Sequence, residues 1–327
     1  MNAIEIVNNI FSVDKESFSG IALQVFYYQY QNNTVYQQWV DYLKVNPLDI
    51  SHYTKIPFLP VSVFKTHSVI TGKDEPQVIF ESSGTTQTIN SQHLVKDVAL
   101  YRNSFMKGFA MFYGEVKKWC IIGLLPSYLE RKNSSLVMMV DELIRQSKHE
   151  QSGFYLYDYA ALHEILLDLE KQQQPTLVIG VTFALLNFID HYKMKLQHTI
   201  IMETGGMKGR REEMIRPQVH AALQEGFGIE RIHSEYGMTE LLSQAYSTGD
   251  GIFKTVPWMK VLVRDEDDPF RIKKEGRGVI NVIDLANLYS CSFIATDDAA
   301  TLYNDGTFEV LGRVDNSDIR GCSLMVV

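Results

Sequence analysis

Hydrophobic and polar positions follow two different periods along this chain, and the change of period divides it. Phe18, Ala22, Val25, Phe26 and Tyr30 recur at near-helical spacing, as do Val35, Trp39, Tyr42 and Leu43. Residues 1–75 therefore read as an N-terminal helical region that buries its aromatic residues on one side. Within it Ile56-Pro57-Phe58-Leu59-Pro60-Val61 is extended, because two prolines disfavour a helix. Residues 76–248 alternate short apolar runs with helical patterns. Gln77–Phe80, Trp119–Leu125, Phe154–Tyr157, Thr176–Gly180 and Thr199–Met202 read as strands. Leu94–Phe112, Ser134–Gln146, Ala160–Lys171, Phe183–Tyr192 and Arg211–Gln224 read as helices. That alternation predicts an α/β fold with a mostly parallel sheet flanked by helices. From about residue 249 the period shortens to that of strands. Val256–Val263, Gly278–Asp284, Ser292–Ala295 and Thr307–Leu311 predict a β-rich C-terminal lobe, residues 249–327, with Asn304-Asp305-Gly306 as one of its turns.

Composition narrows the class. A chain of 327 residues with 45% hydrophobic content can bury a substantial core, and 21% charged residues argue against wholesale disorder. A net charge of −8 disfavours a nucleic-acid backbone as the main partner. The three cysteines, Cys120, Cys291 and Cys322, form neither a disulfide framework nor a Cys-x-x-Cys pair. No paired Cys/His set has zinc-site spacing. The start, Met1-Asn2-Ala3-Ile4-Glu5, lacks the basic and apolar segments of a signal peptide, and no apolar run is long enough to span a bilayer. A cytoplasmic protein is the expectation. The charge run Arg264–Asp268 reads as a solvated loop.

The chemistry gathers at a few polar stretches. Glu81-Ser82-Ser83-Gly84-Thr85-Thr86-Gln87-Thr88 is dense in hydroxyls and follows a predicted strand. With a helix expected after it, the arrangement reads as strand, polar loop, helix. Its glycine and hydroxyls suit phosphate oxygens, although it lacks the Gly-Lys-Ser/Thr ending of a Walker A loop. On composition alone such a run is as well explained as an ordinary loop. Glu203-Thr204-Gly205-Gly206 and Tyr236-Gly237 also lie at or near strand ends, where ligands gather in parallel sheets, so the three stretches are expected to share one crevice. His93 and His233 flank these stretches as candidate bases, with a structural role the simpler reading. Lys208, Arg210 and Arg211 could approach phosphates or simply be solvated.

Taken in order, the hydroxyl loop, Glu235-Tyr236-Gly237-Met238-Thr239-Glu240, Thr296-Asp297-Asp298 and Gly312-Arg313-Val314-Asp315 resemble the motifs of the adenylate-forming superfamily, which includes acyl-CoA synthetases and peptide-synthetase adenylation domains. The resemblance runs over about residues 80 to 320. It implies an adenylate-forming large-domain-like fold, with 76–248 as a nucleotide-binding core, and ATP and Mg2+ as cofactors. Ser82, Ser83, Gly84, Thr85 and Thr86 would hold phosphates, and Gly205 and Gly206 would wall the adenine and acyl site. Tyr236, Gly237 and Thr239 would form the adenine segment, and Glu240 would bind magnesium. Asp298 and Arg313 would contact the ribose, with Asp297 standing where a glycine is usual.

Two departures bear on the branch. The lysine common after the phosphate loop in acyl-CoA synthetases is missing, and Val327 comes before the lobe that carries their catalytic lysine. The acyl-protein synthetases of bacterial luminescence, LuxE-like proteins, also end soon after the Gly-Arg motif and carry an acyl-accepting cysteine near the C-terminus. Cys322, in Asp318–Leu324, matches that position, and Ser91-Gln92-His93 matches their Ser-x-His segment. A buried or inert tail cysteine is the plainer alternative. The resemblance implies ATP-dependent activation of a fatty or other carboxylic acid as acyl-AMP and transfer to Cys322, from which an acyl-accepting enzyme or carrier protein would take it. A phenylacetate-CoA-ligase-like acyltransferase using coenzyme A or a carrier thiol, and a non-catalytic nucleotide- or acyl-binding subunit, are the competing expectations.

Overall fold

The computed structural model describes residues 3–82, 89–125, 133–205 and 214–314. The N-terminal region is helical, with α1 (Ala3–Ile10), α2 (Phe18–Asn32) and α3 (Thr34–Tyr42). The periodic apolar stripe of α2 is its buried face, since Phe18, Ile21, Ala22, Val25 and Phe26 are all inside. Gln29 on that face donates to the carbonyls of Asn287 and Leu288 at 3.0 and 2.9 Å, tying the helical region to the C-terminal half. The proline-flanked Leu59–Pro60 forms a short strand, β1, and Val61–Lys65 makes a 3-10 turn.

The segment after this turn differs from expectation. β2 (Val78–Glu81) pairs antiparallel with β3 (Gln92–Val95), so the hydroxyl loop joins a hairpin rather than leading directly into a helix. Helix α4 (Val98–Tyr113) begins only after Asp97, whose carboxylate caps the amides of Ala99 and Leu100. Leu94 and Val95 stand four and three residues before Val98, so a helical period extends falsely back into the strand.

The α/β alternation is as expected. It runs β4 (Cys120–Leu124), α5 (Ser135–Ser147), β5 (Gly153–Phe154), α6 (Tyr159–Lys171), β6 (Thr176–Gly180), α7 (Thr182–His191), β7 (Thr199–Glu203), α8 (Arg216–Phe227) and β8 (His233–Tyr236). Ser134 and Asp158 cap α5 and α6 through the amides of Val137 and Ala161. β4, β5, β6, β7 and β8 pair in parallel, in the spatial order 8-7-6-4-5. β4 and β6 are buried at every position, as strands covered on both faces must be.

The C-terminal part is antiparallel: β9 (Ala245–Ser247), β10 (Ile252–Thr255), β11 (Met259–Arg264), β12 (Ile272–Lys273), β13 (Gly276–Asp284), β14 (Phe293–Leu302) and β15 (Phe308–Arg313). One hydrogen-bonded path links it to the parallel strands through β15, β10, β9 and β8. β14 is longer than its apolar start indicates and carries Thr296-Asp297-Asp298 inside the ladder. The charge run also departs from expectation at its first residue. Arg264 is drawn inward and donates to the carbonyls of Ile280 and Thr296 and to Asn281 Oδ1.

Candidate functional site

Three strands end at one opening. β2 ends at Glu81, β7 at Glu203 and β8 at Tyr236, and the residues just beyond them, Ser82, Thr204-Gly205 and Gly237, line a cleft of about 540 Å³. The carboxyl ends of parallel strands, here β7 and β8, are where such a crevice belongs. The 3-10 turn carrying Lys65 forms another wall, together with Tyr101 of α4 and the first turn of α5. Asp297, Asp298 and Arg313 complete it from the β-rich side.

The ribose-side candidates are ladder partners. Asp298 of β14 faces Arg313 of β15 in register, and Arg313 Nε lies 3.7 Å from Asp298 Oδ1. Tyr236 donates to Asp298 Oδ2 at 2.8 Å. Its ring is buried edge-on against Phe253 and Phe308, so it supports Asp298 from behind the cleft wall. Burial raises the Asp298 pKa, against the pull of the Tyr236 hydroxyl and the Arg313 charge.

Glu240 is buried, and its carboxylate accepts a short hydrogen bond from Ser91. Burial raises its pKa, while the Ser91 hydroxyl works the other way. Thr239, beside it, also lines the cleft. The backbone here is held from behind. His93 bonds the Thr239 carbonyl through Nδ1 at 2.8 Å and Asn287 Oδ1 through Nε2 at 2.9 Å. Asn287 Nδ2 donates in turn to the Glu240 carbonyl at 2.7 Å. Asp284 accepts from the amides of Leu242 and Ser243 at 2.7 and 2.9 Å. Burial lifts its pKa to about 6. His93 thus positions the loop from outside the cleft, with burial pressing its pKa down to about 4. His233 is bonded to the Tyr113 hydroxyl and likewise falls to about 4 by burial.

The turn after β7 is fixed by Glu203. Its Oε2 accepts from the Gly205 amide at 2.7 Å, and Gly205 has φ +74°, where a side chain is strained. Oε1 lies 3.6 Å from both Arg216 Nε and His220 Nε2 on α8. Burial opposes ionisation of Glu203, but the His220 hydrogen bond and the Arg216 charge outweigh it and hold the pKa low. Arg216 also donates to the Val310 carbonyl of β15 at 2.9 Å, so one guanidinium joins the glycine turn to the strand that ends in Arg313.

Glu235, Thr204, Gln244 and Lys65 line the same cleft; the sequence reading held Glu235 and Thr204 only inside their motifs, without roles of their own, and did not single out Gln244 or Lys65. Alternation along β8 could have found Glu235, since Tyr236 and Glu235 must face opposite ways. Ser83, Gly84, Thr85, Thr86, Gly206, Lys208, Arg210, Arg211 and Cys322 lie outside the described residues. The two described cysteines are buried, and burial pushes Cys120 to about 11 and Cys291 to about 12. No helix among the described residues is long and apolar enough to cross a membrane.

A family model described as acyl-protein synthetase, LuxE, matches residues 11–327. No curated protein sequence matches the chain. Among solved structures, 2-hydroxyisobutyryl-CoA ligase in an open conformation with 2-HIB-AMP and CoA superposes at TM-score 0.63 and 12% identity, over 94% of this chain and 78% of that one. Apo MatB from Rhodopseudomonas palustris gives 0.53 and 14%, over 73% and 48%. A long-chain-fatty-acid-CoA ligase from Archaeoglobus fulgidus gives 0.50 and 16%, over 72% and 51%. At these identities the likeness shows a common fold. The chain spans about half the length of MatB.

Proposed function

Because the chain belongs to the acyl-protein synthetase (LuxE) family, we propose that it activates a carboxylic acid with ATP and magnesium and passes the acyl group to a thiol, its own Cys322. One observation carries this reading. Segments far apart in sequence, around Ser82, Thr204, Gly237–Glu240, Asp298 and Arg313, line one cleft at the strand ends. In it Asp298 and Arg313 hold the ribose hydroxyls, and the Ser82 side supplies the phosphate wall. The substrate carboxylate attacks the α-phosphorus of ATP, the bond to the bridging oxygen breaks, and pyrophosphate leaves. The thiolate then attacks the acyl carbonyl, and the carbon–oxygen bond to AMP breaks.

The described residues fit a nucleotide-borne magnesium. They contain no group of three or more His, Cys, Asp and Glu that would cage an ion. Magnesium on a nucleotide is held by one or two carboxylates plus phosphate oxygens, and Glu240 at the cleft supplies one. Bound there, the ion would offset phosphate charge as the carboxylate approaches. Cys120 and Cys291 are buried with raised pKa values, which leaves Cys322 as the candidate acceptor within the chain. The resemblance suggests a fatty acid as substrate and an acyl-accepting enzyme or carrier protein as the next recipient.

Intact mass after incubation with Mg-ATP and a panel of acids tests the reading. An ATP-dependent acyl adduct on the wild type, lost in Cys322→Ser, is the expected result. AMP release only with coenzyme A, retained in Cys322→Ser, would replace the internal acceptor with a ligase. No adduct, no AMP and no pyrophosphate exchange with any acid would overturn acid activation altogether.

A further inference from the structure

The parallel pairing of β7 with β8 aligns Met202 with His233 and Glu203 with Ser234. Side chains alternate along each strand. Glu203 and Ser234 therefore share the face covered by α8, where His220 lies near both of them. The next pair, Thr204 and Glu235, turns to the opposite face and lines the cleft beside Tyr101 of α4. Tyr236, one residue further, points back to Asp298. The Thr204–Glu235 end is thus on the other side of β8 from the ribose-side pair.

Among the described residues neither group there has a hydrogen-bond partner. The Thr204 hydroxyl is buried with no hydrogen bond among the described residues. The Glu235 carboxyl has no hydrogen bond or ion pair among the described residues, although its charge bears on Tyr101, Tyr113 and Tyr246. The Tyr101 hydroxyl is committed to the Ser135 carbonyl at 2.9 Å and that of Tyr113 to His233 at 3.1 Å. The carboxyl lies over Gly237, close enough that a Cβ at that residue would meet Glu235 Oε1. Buried polar groups are ordinarily paired, and unpaired ones at a cleft indicate the ligand that completes them. An unsubstituted alkyl chain would leave both groups dry and unpaired.

Resting on the activation chemistry proposed above, we propose that Glu235 and Thr204 form a polar subsite for the acid substrate, whose carbon chain bears a hydrogen-bond donor, an amine or a hydroxyl. Glu235 accepts from that donor, and Thr204 bonds the same substituent. The substrate class is then a hydroxy- or amino-substituted carboxylic acid rather than a plain alkyl fatty acid.

The test is ATP–pyrophosphate exchange with matched sets: butyrate with 3- and 4-hydroxybutyrate and 3- and 4-aminobutyrate, octanoate with 3- and 4-hydroxyoctanoate, and tetradecanoate with 3-hydroxytetradecanoate. The wild type should favour a donor-bearing acid over its unsubstituted parent at least tenfold in kcat/KM. If the donor is an amine, Glu235→Gln should remove that preference; if a hydroxyl, Glu235→Gln should retain it and Glu235→Leu should remove it. Thr204→Val, nearly isosteric, should reduce the same ratio several-fold and guards against misfolding of the Glu235 variants. Best exchange with octanoate or tetradecanoate, or a donor-to-parent ratio unmoved by Glu235→Leu and Thr204→Val, overturns the subsite while leaving acid activation intact. Exchange with no acid at all overturns the activation reading, and the subsite with it.

Discussion

Glu235 ties stability to pH in a way that can be measured without any substrate. Burial, with the nearby Glu203 charge adding to it, raises its pKa from 4.5 to about 8. The folded protein therefore keeps a proton that the unfolded chain releases between these values. Stability from this group is complete below about pH 4.5 and is lost as pH rises towards 8. Each pH unit within the window corresponds to about 1.4 kcal/mol for a fully enclosed carboxyl. From pH 5 to 8 that is about 4 kcal/mol, and water reaching the carboxyl from the cleft reduces it to about 2 kcal/mol. Glu235→Gln keeps the shape and removes the titration. Urea unfolding of both proteins at pH 5, 6, 7 and 8 should show the variant gaining on the wild type by about 2 kcal/mol across the series. Taking the difference cancels Asp284, Glu240, His93 and His233, whose shifts are common to both proteins. A difference constant to within about 0.5 kcal/mol would refute the buried, unpartnered carboxyl.

Other tests address the frame of the cleft. Gly237→Ala should move the Glu235 carboxyl aside, because the new methyl meets Oε1 at the end of a flexible side chain, and should weaken the preference for a donor-bearing acid in pyrophosphate exchange more than it slows exchange with butyrate. Arg216→Met removes the full positive charge beside the buried Glu203, leaving it His220 and the donors Gly205 and Thr182, and calorimetry or urea melts should show a loss of about 2–3 kcal/mol. Asn287→Leu removes the bonds to His93, the Glu240 carbonyl and the Cys291 carbonyl; a stability loss of about 3 kcal/mol and a raised KM for Mg-ATP are expected. In Cys322→Ser, a thiol reagent at pH 8 should find no reactive cysteine in the native protein and two after denaturation, since Cys120 and Cys291 are buried with raised pKa values.

The sequence by itself determined the elements whose signal is local. The buried strands β4, β6 and β7 declare themselves as apolar runs, and Ser134 and Asp158 mark the starts of α5 and α6 with capping side chains. Ordered motifs were also enough to identify the family and to select Asp298 and Arg313 together, fifteen residues apart and paired across β14 and β15. What the sequence left undecided depends on pairing between distant strands. Gln92–Val95 reads as helix until β2 lies beside it, and Ala245–Ser247 and Ile252–Thr255 are too short to stand out before they bridge β8 to β15. The role of His93 was likewise decided by tertiary contact, since its ring is consumed by Thr239 and Asn287 from the far side of the loop. Glu235 is the clearest case. Its place in the motif was legible, but only the register of β7 against β8 sets it beside Thr204 and leaves both groups facing the cleft. Local propensity fixes which residues form a strand; which face they present, and what stands opposite, follows from a partner strand that no local pattern encodes.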